Sequence, residues 1–201
     1  MGANMTKIFL FIVVLFISGC GGGNMLPKMM PVVALYGDSI TSGTHSEKYD
    51  EWIPTQWAVS PAQYIASIAG VRYFDYSANG ANAADASIKP DNSDIVVIRF
   101  GVADAYHGTS PADFSTQITR LVGEARAMRK LVILSGLPKN AFNNTRALDV
   151  VMRERATALG VPFVDVFSLD YSIADLADPL HPGENYSQRI GLMVAKKILE
   201  E

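Results

Sequence analysis

Val32-Val33-Ala34-Leu35-Tyr36-Gly37-Asp38-Ser39 decides the fold. It is an apolar run of strand length that stops abruptly in Gly-Asp-Ser. A continuous Val/Ala/Leu run bounded by turn residues reads as a strand buried on both faces, the signature of a parallel sheet. Open α/β sheets hold their ligands just outside the carboxyl ends of such strands. Ser39 stands there, on the turn that leaves the sheet. Two readings are open for it. A serine in that position is a candidate nucleophile, provided the chain supplies a base, a group to orient the base and oxyanion donors. Alternatively, Asp38 and Ser39 only cap the next helix.

Working outward, residues 40–59 form a long connection carrying both tryptophans, Trp52 and Trp57. A long loop at the carboxyl end of a first strand is placed to wall a site. The two rings are candidate substrate contacts, for a sugar or an acyl chain; hydrophobic packing is the other reading. Ser60-Pro61 opens a helix as N-cap and first residue, and Gly70 ends it. A second strand is expected over 71–76, a turn of small residues over Ser77–Asn82, and a short helix near 83–87. A third strand, 94–100, ends in Gly101-Val102-Ala103-Asp104. Ser110-Pro111 caps a helix over 111–129, whose Phe114, Ile118, Leu121, Val122 and Ala125 recur at helical spacing. A fourth strand (131–135), a helix (144–159) ended by Gly160, a fifth strand (162–166), a loop of about 15 residues and a last helix (184–199) complete the chain. Strands alternating with helices imply one parallel sheet covered on both faces. Four loops then share one rim, and they carry Ser39, Asn79-Gly80-Asn82, Asp104 with Tyr106, and Asp178 with His181.

Composition sets the outer limits. The chain has 201 residues, 49% of them hydrophobic and only 18% charged, with a net charge of −3. Lys and Arg are scattered, so no basic footprint for nucleic acid exists. The single cysteine, Cys20, rules out an internal disulfide and a cysteine zinc site. His45, His107 and His181 are far apart in sequence and show no metal-ligand spacing, and no cofactor loop is present. The first residues read as export signal rather than fold. Lys7 precedes an unbroken apolar run, Ile8 to Ile17, of the length of a signal h-region and short for a membrane span. Ile17-Ser18-Gly19-Cys20 follows, and then three glycines. Small residues before a lone cysteine at this point resemble a bacterial lipoprotein lipobox. That resemblance implies a signal peptide over 1–19, a lipidated Cys20 with a flexible tether over 20–30, and a domain over 31–201 held in the bacterial cell envelope through its lipid. An ordinary signal peptide or an uncleaved N-terminal anchor, with Cys20 a bystander, is the other reading.

The ordered set of blocks in that domain resembles the SGNH hydrolases, also called GDSL esterases and lipases. Gly37-Asp38-Ser39 matches the first block, Gly80 the glycine block after the second strand, and Asp178-x-x-His181 the final block before the last helix. The resemblance implies a single three-layer α/β/α domain with a five-stranded, flavodoxin-like parallel sheet. It implies an esterase in which Ser39 attacks an acyl carbonyl, His181 moves the proton and Asp178 orients the imidazole. The Ser39 and Gly80 N–H groups would bind the oxyanion, and Trp52, Trp57, Asp104 and Tyr106 are candidate substrate contacts. For Asp104 the other readings are a brace of its loop, or an ordinary turn or cap residue. One block departs from the pattern. Where the family has Gly-x-Asn-Asp, with the asparagine donating to the oxyanion, this chain has Gly101-Val102-Ala103-Asp104. Loss of one such donor costs about 10²–10³ in rate. Three readings follow: Asn79 or Asn82 supplies the amide, the enzyme is slow or works on a well-held ester, or the site only binds. The expected substrate is an acyl ester, acetyl among the candidates, of envelope carbohydrate or lipid. The alternative is a carbohydrate-binding or assembly lipoprotein without catalysis.

Overall fold

The structure is a computed structural model that describes residues 30–201. The signal segment, Cys20 and the glycine tether lie outside the described residues. Five parallel strands form the central sheet: β1 (Val32–Gly37), β4 (Arg72–Ser77), β5 (Ile95–Arg99), β6 (Leu131–Ser135) and β7 (Phe163–Val164). Their spatial order is β4-β1-β5-β6-β7, with Val33 opposite Tyr73 on one side and Ile95 on the other. The chain therefore reverses its direction of winding between β1 and β5. A sheet of this order opens a crevice at that switch point, beyond the carboxyl ends of the two strands.

Both sheet faces are covered, as the continuous apolar runs require. On one face Ala34, Tyr36, Val96, Ile98 and Leu134 pack against Phe114, Ile118, Leu121 and Met152. The last four come from α4 (Pro111–Ala127) and α5 (Arg146–Leu159). On the other face Val33, Leu35, Val97 and Ile133 meet Ile65, Ile190, Val194 and Ile198. Those belong to α2 (Pro61–Ala69) and α6 (Glu184–Glu200). Each fully buried side chain of this kind stabilises the fold by about 1.5–3 kcal/mol. The caps sit where the sequence puts them: Ser60 accepts from Gln63 N–H and Ser110 from Asp113 N–H, both at 3.1 Å. The edge strand β4 keeps Arg72, Tyr73 and Asp75 exposed, and such charges discourage further strand pairing.

Four segments differ from expectation. The connection 40–59 is not plain loop. It holds the one-turn helix α1 (Ser39–Ser42) and a small hairpin, β2 (Thr44–Ser46) with β3 (Pro54–Gln56). Residues 83–87 form a turn, not a helix. Tertiary partners hold the segment instead: Asp104 accepts Ala83 N–H, Arg120 donates to the Ala83 and Ala84 carbonyls that a helix would pair, and Glu124 accepts the N–H of Ile88 just beyond. Val102–Tyr106, too short to show a period, form the helix α3. β7 spans two residues only, because the chain turns into a 3₁₀ segment at Val166.

Candidate active site

Ser39 is the first residue of α1, directly beyond β1. The tight exit depends on Gly37, where a Cβ would stand 2.2 Å from Thr41 Oγ1. Asp38 is the N-cap of α1 and accepts Ile40 N–H at 3.0 Å. Capping is thus one of its tasks and not the whole of it. Its second oxygen accepts the N–H groups of Val102 (2.9 Å) and Ala103 (3.2 Å) across the switch point. Burial pushes the Asp38 carboxyl above its ordinary value, opposed by these N–H groups and by the buried Arg99 cation.

The final loop delivers the other two groups. Asp178 and His181 are both buried. His181 Nε2 lies 2.9 Å from Ser39 Oγ, and His181 Nδ1 lies 2.8 Å from Asp178 Oδ2. Asp178 also accepts the N–H groups of Ser46 (2.7 Å), Leu180 (2.8 Å) and His181 (2.9 Å). Burial pushes its carboxyl up, but the His181 side chain and these N–H groups outweigh burial and hold it at about 2. Asp178 is therefore ionised across the neutral range. An imidazole that bonds a carboxylate through Nδ1 presents Nε2 to the hydroxyl as a proton acceptor. Serine, histidine and aspartate, 39, 181 and 178 in the chain, so form one continuous chain of hydrogen bonds.

This chain opens into a cavity of about 520 Å³. Asn79, Gly80 and Ala103 line it, as do Trp52, Tyr106, His107 and Phe142. Gly80 sits in a turn at φ +68°, a conformation that favours glycine. Neither Ser39 N–H nor Gly80 N–H makes a hydrogen bond to the described residues. Trp52 is 54% exposed, with its ring 5.7 Å from that of His181. Tyr106 is 61% exposed.

Three expected site residues lie elsewhere. Trp57 stacks on buried His45 with ring centres 3.7 Å apart; it lies outside this cavity and borders a small second pocket beside Ser39 and His181. Asp104 is fully buried; both its oxygens face Ala83 N–H at 3.2–3.3 Å, and it braces the glycine loop against α3. Burial, only partly offset by that N–H, pushes its carboxyl up to about 6. Asn82 does not line the cavity; its Oδ1 meets His107 Nδ1 at 3.1 Å. Among the cavity residues that the sequence did not mark as part of the site are His107 and Phe142. His107 follows α3, a helix with no sequence signal, and Phe142 sits on a loop distant in the chain.

The GDSL-like lipase/acylhydrolase family model matches residues 35–189. No curated protein matches the chain. Among solved structures, the lipase/acylhydrolase from Enterococcus faecalis superposes with a TM-score of 0.69 at 21% identity, over 85% of this chain and 96% of that one. The M. smegmatis aryl esterase gives 0.71 at 18%, over 85% and 99%. A catalytic mutant of Axe2, an acetylxylan esterase from Geobacillus stearothermophilus, gives 0.66 at 17%, over 84% and 94%. At these identities the likeness shows a shared fold, while the family match spans most of the chain. With a Gly-Asp-Ser turn at the switch point and that match on one chain, the protein belongs to the GDSL-like lipase/acylhydrolase family, a family of ester-hydrolysing serine hydrolases.

Proposed function

We propose that Ser39, His181 and Asp178 are the nucleophile, base and orienting acid of an esterase that removes small acyl groups, acetyl foremost, from envelope carbohydrate or lipid. The observation that carries this reading is the unbroken hydrogen-bond chain from Ser39 Oγ through His181 to Asp178. Ser39 Oγ attacks the acyl carbonyl as its proton passes to His181 Nε2. The tetrahedral oxyanion is held by the Ser39 and Gly80 N–H groups and by the Asn79 side-chain amide, which stands in for the asparagine missing at Ala103. The C–O bond then breaks and the alcohol leaves with the proton from His181. Water attacks the acyl-serine, gives its proton to Nε2, and the acid departs as Ser39 recovers its hydrogen.

The aromatic walls, Trp52 above all, suit a substrate with an extended apolar or sugar face. The acetylxylan esterase that shares this fold makes a sugar acetate a natural first probe. In this reading Cys20 carries lipid, residues 20–30 tether the domain, and the enzyme works at the bacterial envelope surface. A binding lipoprotein without catalysis draws on one observation, Ala103 in the cavity wall. The intact hydrogen-bond chain weighs against it.

Hydrolysis of p-nitrophenyl acetate and butyrate by the full-length protein in detergent tests the reading. The expected result is turnover that Ser39→Ala lowers by about 10³-fold or more, with the acetate-to-butyrate ratio sizing the acyl pocket. Equal, negligible rates for both folded proteins would sink it.

A further inference from the structure

His107 is a third histidine with a fixed posture, and the mechanism above leaves it unused. It stands one turn beyond Ala103, its N–H bonded to the Ala103 carbonyl at 2.9 Å, and both residues line the same cavity. The bond between His107 and Asn82 crosses from α3 to the loop after β4. That loop is itself pinned. Asp104 accepts Ala83 N–H, and Arg120 donates to the Ala83 carbonyl at 2.9 Å. Asn82 is therefore a rigid partner, and an exposed imidazole acquires a set orientation. Whichever amide atom faces the ring, this bond uses Nδ1 and leaves Nε2 as the free polar atom. The ring of Tyr106 lies edge-on to that of His107, 5.6 Å between centres. Trp52 and Phe142, both 54% exposed, supply broad apolar surface to the same cavity, while His107 supplies a polar group held in place.

We infer that His107, oriented by Asn82, is a specificity residue that hydrogen-bonds a hydroxyl of a sugar-ring substrate, with Tyr106 covering an apolar face of the ring. The proposal rests on the esterase reading and names its substrate class, a partly acetylated sugar. An immobilised polar partner discriminates strongly between a substrate that carries the matching hydroxyl and one that lacks it. An apolar surface alone does not.

Two measurements on the full-length protein in detergent test it. In the first, kcat/KM is compared for methyl 6-O-acetyl-glucopyranoside and for p-nitrophenyl acetate, whose leaving group offers no sugar hydroxyl. His107→Ala is expected to lower kcat/KM for the sugar acetate by about 10- to 100-fold more than it lowers kcat/KM for p-nitrophenyl acetate. Asn82→Ala shows a smaller loss of the same pattern, and His107→Gln recovers part of it. Equal loss on both esters, no loss on either, or a wild-type protein that cleaves only p-nitrophenyl acetate would overturn the proposal and leave the esterase intact. In the second, binding of the same sugar acetate to Ser39→Ala is measured by calorimetry. Binding about tenfold weaker in Ser39→Ala/His107→Ala is expected, whatever the catalytic outcome. Identical binding in the two proteins, or none in either, contradicts it.

Discussion

Asp38 accepts the backbone N–H groups of Val102 and Ala103 at 2.9 and 3.2 Å, so the residue before the proposed nucleophile clamps the start of α3. The two segments leave the carboxyl ends of neighbouring parallel strands, and this carboxylate ties one to the other. Asp38→Ala would leave these two buried N–H groups and that of Ile40 unpaired. That costs about 2–4 kcal/mol, because a buried donor without a partner loses its full hydration. Urea unfolding should show that loss. In the folded variant kcat should fall more than KM rises, since the displaced group is the nucleophile and not the binding surface.

Asn79 lines the cavity with Ser39 and Gly80 while Asn82 does not, and on that ground the proposed mechanism takes its third oxyanion donor from Asn79. Asn79→Ala should therefore reduce kcat for p-nitrophenyl acetate by about 10²–10³-fold, with little change in unfolding free energy at this exposed site. Ala103→Asn on that background should restore a large part of the rate. An Asn79→Ala enzyme as fast as wild type would remove Asn79 from the mechanism.

Asp104 makes a pH prediction. Its carboxyl in the folded chain is pushed up to about 6, above the ordinary 3.8, by burial first and by the Asp38 charge in addition. The folded state thus holds a proton that the unfolded state has released between about pH 4 and 6. Stability from this group falls as pH rises through that window, and the cost is complete above it. Asp104→Asn keeps an acceptor for Ala83 N–H and escapes the cost. The variant should be more stable than wild type by about 1–3 kcal/mol at pH 7.5 and nearly equal to it at about pH 3, by urea unfolding.

Lys130 is buried, and its Nζ donates to Asp91 Oδ1 (2.5 Å), Ser93 Oγ (2.6 Å) and two carbonyls. Burial pushes Asp91 up, but Lys130 and Ser93 outweigh it and hold the carboxyl at about 2. Lys130→Met strands that carboxylate and should cost about 3–5 kcal/mol at neutral pH. Adding Asp91→Asn should return part of the loss. Because Asp91 titrates below its ordinary value, the wild-type contribution holds above about pH 4 and fades toward pH 2.

The residues that could be read from sequence are those whose role is written locally. Gly37-Asp38-Ser39 ends an apolar run, and Asp178 and His181 share one short loop, so strand pattern and spacing suffice to bring them to one rim. Asn82 and His107, and the partner that Asp104 braces, were opaque for the opposite reason. Their roles come from contacts between α3 and a loop 21 to 25 residues earlier. The same contacts dissolved the helix expected near 83–87. The two readings kept open for the tryptophans divide between them, because position in a rim loop does not fix direction: the ring of Trp57 packs on His45 while Trp52 lines the cavity.

The central claim is that Ser39 is an activated nucleophile, and covalent labelling reads this without knowledge of the substrate. The full-length protein would be treated with a fluorophosphonate and the adduct located by peptide mass mapping. The account predicts one phosphonyl group on Ser39, no labelling of Ser39→Ala, and labelling at least 10²-fold slower in His181→Ala. A folded wild-type protein that stays unlabelled, or one labelled equally fast without His181, would contradict it.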